Sequence, residues 1–562
     1  METNTGKEML PMRRNHRFTT GLTTLLFAAV LTATPADIPL INAVQEGDSP
    51  FISILLRNGE NPNAVSTDGT SALHWAAYLN DSTAVELLLE AGATVGVPNR
   101  YDVTPLSLAA ARAYSGIVRQ LLEAGADPNS ALPGGETVLM SAARAGSVDA
   151  VKTLIAHGAD VNSAEDTRGQ TALMWASGEG HADVIHALLD AGADLHARSH
   201  GPEAAEASGG TGTYTRRVQR IDIFTPFLFA VRAGHINAVH VFLARGADVN
   251  ETTPDGTSAL VIAAANAHWE LGSVLLEAGA NPNAAEQGWT ALHQLVRTRN
   301  LNIGFFPHPE PTGRLSGLDF GRVLIEHGAD VNARITKPIV DGFRDFWTQN
   351  GATPILQAAK GADAEMMRFL AKHEADASLA NERGTTPIMA ASGVEMFNPN
   401  EDSGTNEEAL EALNVALELG GDVNAANNSG DTPLHGAAWR GANDIILRLV
   451  EEGAELHVEN NSGYTPLEIA NGEEEGRVAN INVRPWAVEL LQNLLKEQGL
   501  PWELQIGDER YAFEKKEFDT RTPEEIFRER EQLGILDVVR EREQLGLPPD
   551  TTDADKNEAQ PR

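Results

Sequence analysis

The chain has 562 residues, no cysteine, 79 acidic against 43 basic side chains, and a formal net charge of −36. The absence of cysteine excludes a thiol nucleophile, a disulfide framework and a thiolate metal site. The acidity argues against nucleic acid as a general partner, because phosphate binding needs clustered Lys and Arg.

The N-terminus reads as an export signal. Arg13, Arg14 and Arg17 form a basic region, and Gly21 to Ala33 is a 13-residue apolar stretch, short for a bilayer span. Thr34-Pro35-Ala36 offers small residues for cleavage after Ala36. A helix that stays attached as an anchor is the alternative. Met12 lies directly before the basic cluster, so residues 1–11 can also be an over-extended start. Cleavage after Ala36 removes four basic and two acidic residues, leaving −36 − 2 = −38.

From Leu40 onward one short pattern recurs. Leu40, Ile41 and Val44 make one helix face, and Phe51, Ile54, Leu55 and Leu56 make the next, in a first copy without its usual start. The clearest copy is Gln170 to Ala197. Thr171 caps a first helix of Leu173, Met174, Trp175 and Ala176, which Gly178 and Gly180 are expected to break. A second helix is expected from about Ala182 to Asp190, with Val184, Ile185, Leu188 and Leu189 on one face and Gly192 at a left-handed C-cap. Helices of two to three turns are not stable alone, so the unit must stack on copies of itself.

The capping Thr or Ser returns at Ser71, Thr104, Thr137, Thr171, Thr225, Ser258, Thr290, Thr353, Thr386, Thr432 and Thr465, giving five intervals of 33 residues, one of 32 and one of 34. Thr432-Pro433-Leu434-His435-Gly436-Ala437 and the partial forms at Ser71 to Ala76 and Thr290 to His293 share one start motif. Gly158-Ala159-Asp160-Val161-Asn162, Gly246 to Asn250 and Gly328 to Asn332 share one ending. These motifs resemble the ankyrin repeat family over roughly residues 38 to 499. The resemblance implies an all-α solenoid of about twelve helix-turn-helix repeats with β-turn fingers, in which His74, His293 and His435 are structural.

Insertions interrupt the array in two places. Residues 200–221 and 335–350 fall at what the family uses as its finger edge, and residues 298–317, 393–407 and 472–486 fall between the two helices of a repeat. Phe305, Phe306, Phe343, Phe346 and Trp347 in these insertions are candidate anchors for a partner, or local core. Gly209 to Gly212 is no phosphate loop, since no Gly-Lys-Ser/Thr follows. Glu374 stands where other repeats carry the capping Gly, and a left-handed backbone there is expected to cost roughly 1 kcal/mol. Beyond residue 500 lies a charged tail with Arg528 to Gly534 repeated as Arg540 to Gly546, expected as one or two helices followed by a disordered end.

No metalloprotease His-Glu-x-x-His, nucleophile elbow, Walker loop or calcium loop is present in the sequence. The Asp-x-Asn pairs are explained by turns better than by a metal. The resemblance implies that the two positions after the Ala-Ala pair of each first helix face a concave groove. There the chain places Tyr78, Arg112, Arg144, Arg232, Arg297, Lys360, Trp439 and Arg440, six of them basic, with Glu179 the one acid. A groove of opposite sign to the body attracts an acidic partner. The expected function is therefore non-catalytic binding of a protein partner outside the cytoplasm by a monomer of bacterial source, without cofactor. The alternatives are a regulator of a periplasmic enzyme, in which the tail governs release, and a hydrolase-like site built from the insertions.

Overall fold

The computed structural model describes residues 38–200, 223–299, 309–339, 347–396, 404–472 and 484–504. The export signal, the tail beyond residue 504 and parts of every insertion (201–222, 300–308, 340–346, 397–403 and 473–483) lie outside the described residues. The chain divides into two compact units, Met1–Asn281 with Glu310–Leu315, and Pro282–Pro309 with Ser316–Arg562. Among the described residues there are 24 helices and no strands, and they alternate as inner and outer members of helix pairs. The first pair is Pro39–Glu46 with Ser49–Arg57, and the last is Pro466–Ala470 with Pro485–Glu497. Each unit is an all-helical repeat solenoid.

The local chemistry of one pair explains the others. Thr171 has an extended backbone, and its hydroxyl accepts from the N–H of Met174 at 3.4 Å, opening the helix Ala172–Glu179. That helix runs through Gly178, against expectation. The chain turns at Gly180, whose φ of 77° is the left-handed angle a helix end needs. The outer helix is Ala182–Asp190, with Val184, Ile185, Ala187 and Leu188 buried. Gly192 follows at φ 88°. The inner helices are mostly small and apolar, which lets neighbouring pairs approach closely. Antiparallel bridges such as Val65 to Ser71 and Ala131 to Thr137 form the finger turns.

Two side-chain devices join one repeat to the next. The first is an imidazole laid on a glycine. His181 Nε2 donates to the Arg144 carbonyl at 2.9 Å, and its ring sits where a Cβ on Gly146 would be, 2.7 Å away. His235 does the same with the Gly178 carbonyl at 3.0 Å over Gly180, and His268 with the Arg232 carbonyl at 3.0 Å over Gly234. The second is an asparagine clamp at the end of seven of the repeats among the described residues. Asn129 Nδ2 donates to the Gly158 carbonyl at 3.0 Å while its Oδ1 accepts from the Asp160 N–H at 2.8 Å. Asn63, Asn162 and Asn250 repeat this in the first unit, and Asn283, Asn332 and Asn424 in the second. The Asp-x-Asn pairs thus serve turns, with Asp160 Oδ1 accepting from the Asn162 N–H at 2.9 Å.

The clamp is missing where another residue takes the asparagine's place. Gly96 has no side chain to make it, and the Ser378 hydroxyl instead donates to Asp376 at 2.6 Å. The Ser378 joint also contains Glu374, which has the left-handed φ of 68° that its position predicts.

Candidate partner-binding face

The start motif buries its histidines for structure. His293 is fully buried; its Nε2 donates to the Ala352 carbonyl at 3.2 Å, and its Nδ1 accepts from the Thr290 N–H at 3.3 Å. Burial pushes its pKa down to about 4. His74 bridges Ser71 and the Val103 carbonyl in the same way, and burial lowers it too.

In the first unit the ends of the inner helices carry guanidinium groups on aromatic rings. Arg112, exposed after the helix Pro105–Ala111, lies 3.9 Å from the centre of the Tyr78 ring, which belongs to the preceding repeat. Arg144, half-buried at the end of Val138–Arg144, lies 4.6 Å from the Trp175 ring of the following repeat. Arg232, exposed in Pro226–Ala233, lies 5.0 Å from Phe224 and 5.4 Å from Phe229. Arg144 also meets a carboxylate, with Glu136 Oε1 3.3 Å from its terminal nitrogen. Tyr78 is half-buried beneath Arg112 and packs edge-on to Trp75 at 5.9 Å.

The second unit departs from the expected pattern. Arg297 is 8% exposed, because its helix Ala291–Arg299 runs two residues past it and is buried through Thr298. The helix ends instead on Arg299, itself half-buried, which pairs with Asp363 at 2.9 Å and Glu365 at 3.0 Å. Arg440 is 6% exposed, since its guanidinium donates to the Gly404 and Thr405 carbonyls and to Asn406 Oδ1. It is a strut at the start of the helix Asn406–Glu418. Trp439 is 9% exposed, with the Arg484 guanidinium 5.6 Å from its ring. Lys360 is half-buried in the last turn of Pro354–Lys360. Of the insertion aromatics, Trp347 is buried, while Phe305, Phe306, Phe343 and Phe346 lie outside the described residues.

Arg484 is a residue that sequence reasoning passed over. Its Nε donates to the Trp439 carbonyl at 3.1 Å, and its side chain lies against Gly441, where a Cβ would sit 2.7 Å from it. The histidines of the first unit make this same contact with the carbonyl two residues before a glycine. Here arginine takes the imidazole's place, and the available signal was Gly441 two residues after Trp439 with a cation directly before Pro485. Burial lowers its pKa.

Stacked helix pairs joined by such repeating devices define a repeat protein whose surface serves binding. A family model described as ankyrin repeats in three copies matches residues 40–131, 113–199 and 227–304, and one described as ankyrin repeats in many copies matches 409–470. The chain belongs to the ankyrin repeat proteins, a family of protein–protein interaction scaffolds that are in general non-catalytic. It is similar to Protein HOS4 of Saccharomyces cerevisiae, with 40% identity over 84 residues, 15% of this chain and 8% of that one. It is similar to human Ankyrin repeat and SOCS box protein 16, with 30% identity over 176 residues, 31% of each chain. It also resembles the Escherichia coli ankyrin repeat protein YahD at 26% identity, over 40% of this chain and 94% of that one. The matches thus span less than a third of the yeast and human relatives. Among the described residues no helix is long and apolar enough to cross a membrane.

Proposed function

We propose that this chain is a non-catalytic scaffold that binds an acidic protein partner outside the cytoplasm, acting as a monomer after cleavage of an export signal near Ala36. The observation that carries the reading is the row of arginines on the inner helices of the first unit. In a chain of net charge −36, Arg112, Arg144 and Arg232 stand at inner-helix ends where the same row of the first unit carries one acid, Glu179. A local field opposite to that of the whole molecule selects partners by sign and speeds their encounter. The finger turns border the same helices and extend the binding face.

The test uses the chain from residue 37 onward as bait, beside a bait with Arg112, Arg144 and Arg232 all changed to Glu. A partner captured by the first bait, released by salt and absent from the second supports the reading. A partner held equally by both removes the arginine face from the function. Mass determination of the protein recovered from the cell envelope tests export, because a retained N-terminus in the cytoplasmic fraction contradicts it.

A further inference from the structure

We infer that the inner face of the first unit recognises an extended acidic peptide segment, gripped by guanidinium groups that aromatic rings hold flat. The inference rests on reading this face as a partner-binding surface, and it narrows the partner to a chemical class and a conformation.

The structure contains its own example of the contact. Arg144 lies 4.6 Å from the Trp175 ring and at the same time meets the Glu136 carboxylate at 3.3 Å. One guanidinium thus has an aromatic ring and a carboxylate beside it at once. Arg112 repeats the first half of this arrangement with a tighter stack, 3.9 Å from the Tyr78 ring, and it is exposed to solvent. Arg232, also exposed, lies within 5.4 Å of two phenylalanine rings. Stacking removes rotational freedom before any ligand arrives, so less entropy is lost when a carboxylate binds. The planar fork matches a carboxylate in two parallel hydrogen bonds, which an ammonium group cannot do.

The ligand class follows from charge. A dense polyanion such as nucleic acid would be repelled by a body of net charge −36. A peptide with spaced carboxylates meets the cations one at a time and offers apolar side chains to Trp75 and Tyr78. The extended conformation follows from spacing. Packed helices lie about 8–10 Å apart, so the four repeat steps from Tyr78 to Arg232 cover roughly 32–40 Å. A strand rising about 3.3 Å per residue spans that in about ten to twelve residues.

The test measures fluorescence anisotropy of a labelled twelve-residue peptide of repeating Glu-Glu-Leu against the full chain at low salt. A Gln-Gln-Leu peptide of the same length and a Glu-Glu-Leu-Glu tetramer serve as comparisons. The acidic twelve-mer is expected to bind, to weaken with salt, and to exceed the tetramer and the neutral peptide by at least about tenfold. Arg112→Lys keeps the charge and loses the flat fork, and it is expected to weaken binding about five- to tenfold. Tyr78→Leu is expected to do the same with unchanged circular dichroism. Absence of acidic-peptide binding, equal binding of the tetramer, or an Arg112→Lys variant matching the parent overturns the inference. If a cellular partner is still lost from the triple Arg→Glu bait while the peptide fails to bind, the general reading stands and the extended acidic ligand is refuted.

Discussion

The missing asparagine clamp at Gly96 can be restored, and the gain can be calculated. Positions 63, 96 and 129 are spaced by 33 residues, and Asn63 and Asn129 both clamp the following repeat. Asn63 donates to the Gly92 carbonyl at 3.2 Å and accepts from the Thr94 N–H at 2.7 Å. In Gly96→Asn the matching partners are the Gly125 carbonyl and the Asp127 N–H. The site accepts the change, since a Cβ at Gly96 meets nothing within 4 Å and its φ is not left-handed. Two new hydrogen bonds contribute about 0.5–1.5 kcal/mol each, and replacing glycine restricts the unfolded chain further, against a small side-chain entropy cost. The net is about 1–2 kcal/mol, or roughly five- to thirtyfold in the closed-to-open ratio of that joint. Amide hydrogen exchange reads this locally: the Asp127 amide and the helices Ser82–Glu90 and Ser115–Glu123 should exchange more slowly by that factor. Asn129→Gly should produce the opposite change at the next joint. Unchanged exchange at Asp127 in a folded Gly96→Asn protein would refute the view that these asparagines hold neighbouring repeats together.

Three further outcomes are expected. Glu374→Gly removes a left-handed glutamate and should raise stability by up to about 1 kcal/mol, read as a higher denaturant midpoint for the second unit; no rise contradicts the strain assigned to φ 68°. Arg484→Ala should lose the bond to the Trp439 carbonyl and speed exchange in Pro485–Glu497 by about tenfold, whereas Arg484→His should restore protection. Acid should weaken the second unit through His293, whose folded pKa of about 4 lies below its ordinary value of 6.5. The unfolded chain takes up the proton first, so stability is full above pH 6.5 and declines by about 3 kcal/mol as pH falls to 4. A His293→Gln variant should flatten that part of the stability–pH curve, and an unaltered slope contradicts the assignment.

The repeat and its caps were legible because they depend on neighbours in sequence. Thr171 and the helix Ala182–Asp190 were readable from residue type and 3.6-residue periodicity. So was the left-handed Glu374, because the residue two before the Asp-x-x turn must end a helix whatever its side chain. Gly178 misled for the same local reason. Two glycines stood one residue apart, and the pattern does not say which takes the turn; the stacked His235 ring settles it, because it lies 2.6 Å from where a Cβ on Gly180 would be.

The positions of Tyr78, Arg112, Arg144 and Arg232 on the inner row were legible, but their pairing with rings was not. The ring under Arg112 lies 34 residues earlier and the ring under Arg144 lies 31 residues later, so no local pattern encodes either stack. Exposure is less local still. Arg297 and Arg440 occupy the same motif position or its neighbour as Arg112 and Arg144, yet a longer helix buries one and the start of Asn406–Glu418 consumes the donors of the other. The insertions thus change the role of the inner row without changing its composition. Arg440 is drawn to the start of Asn406–Glu418, the helix that the insertion of the preceding repeat delays, whereas Arg112 is followed by a repeat of regular length and stays exposed. This is why the proposed binding face lies in the first unit, where the pairs bearing Arg112 and Arg144 follow one another at the regular repeat length.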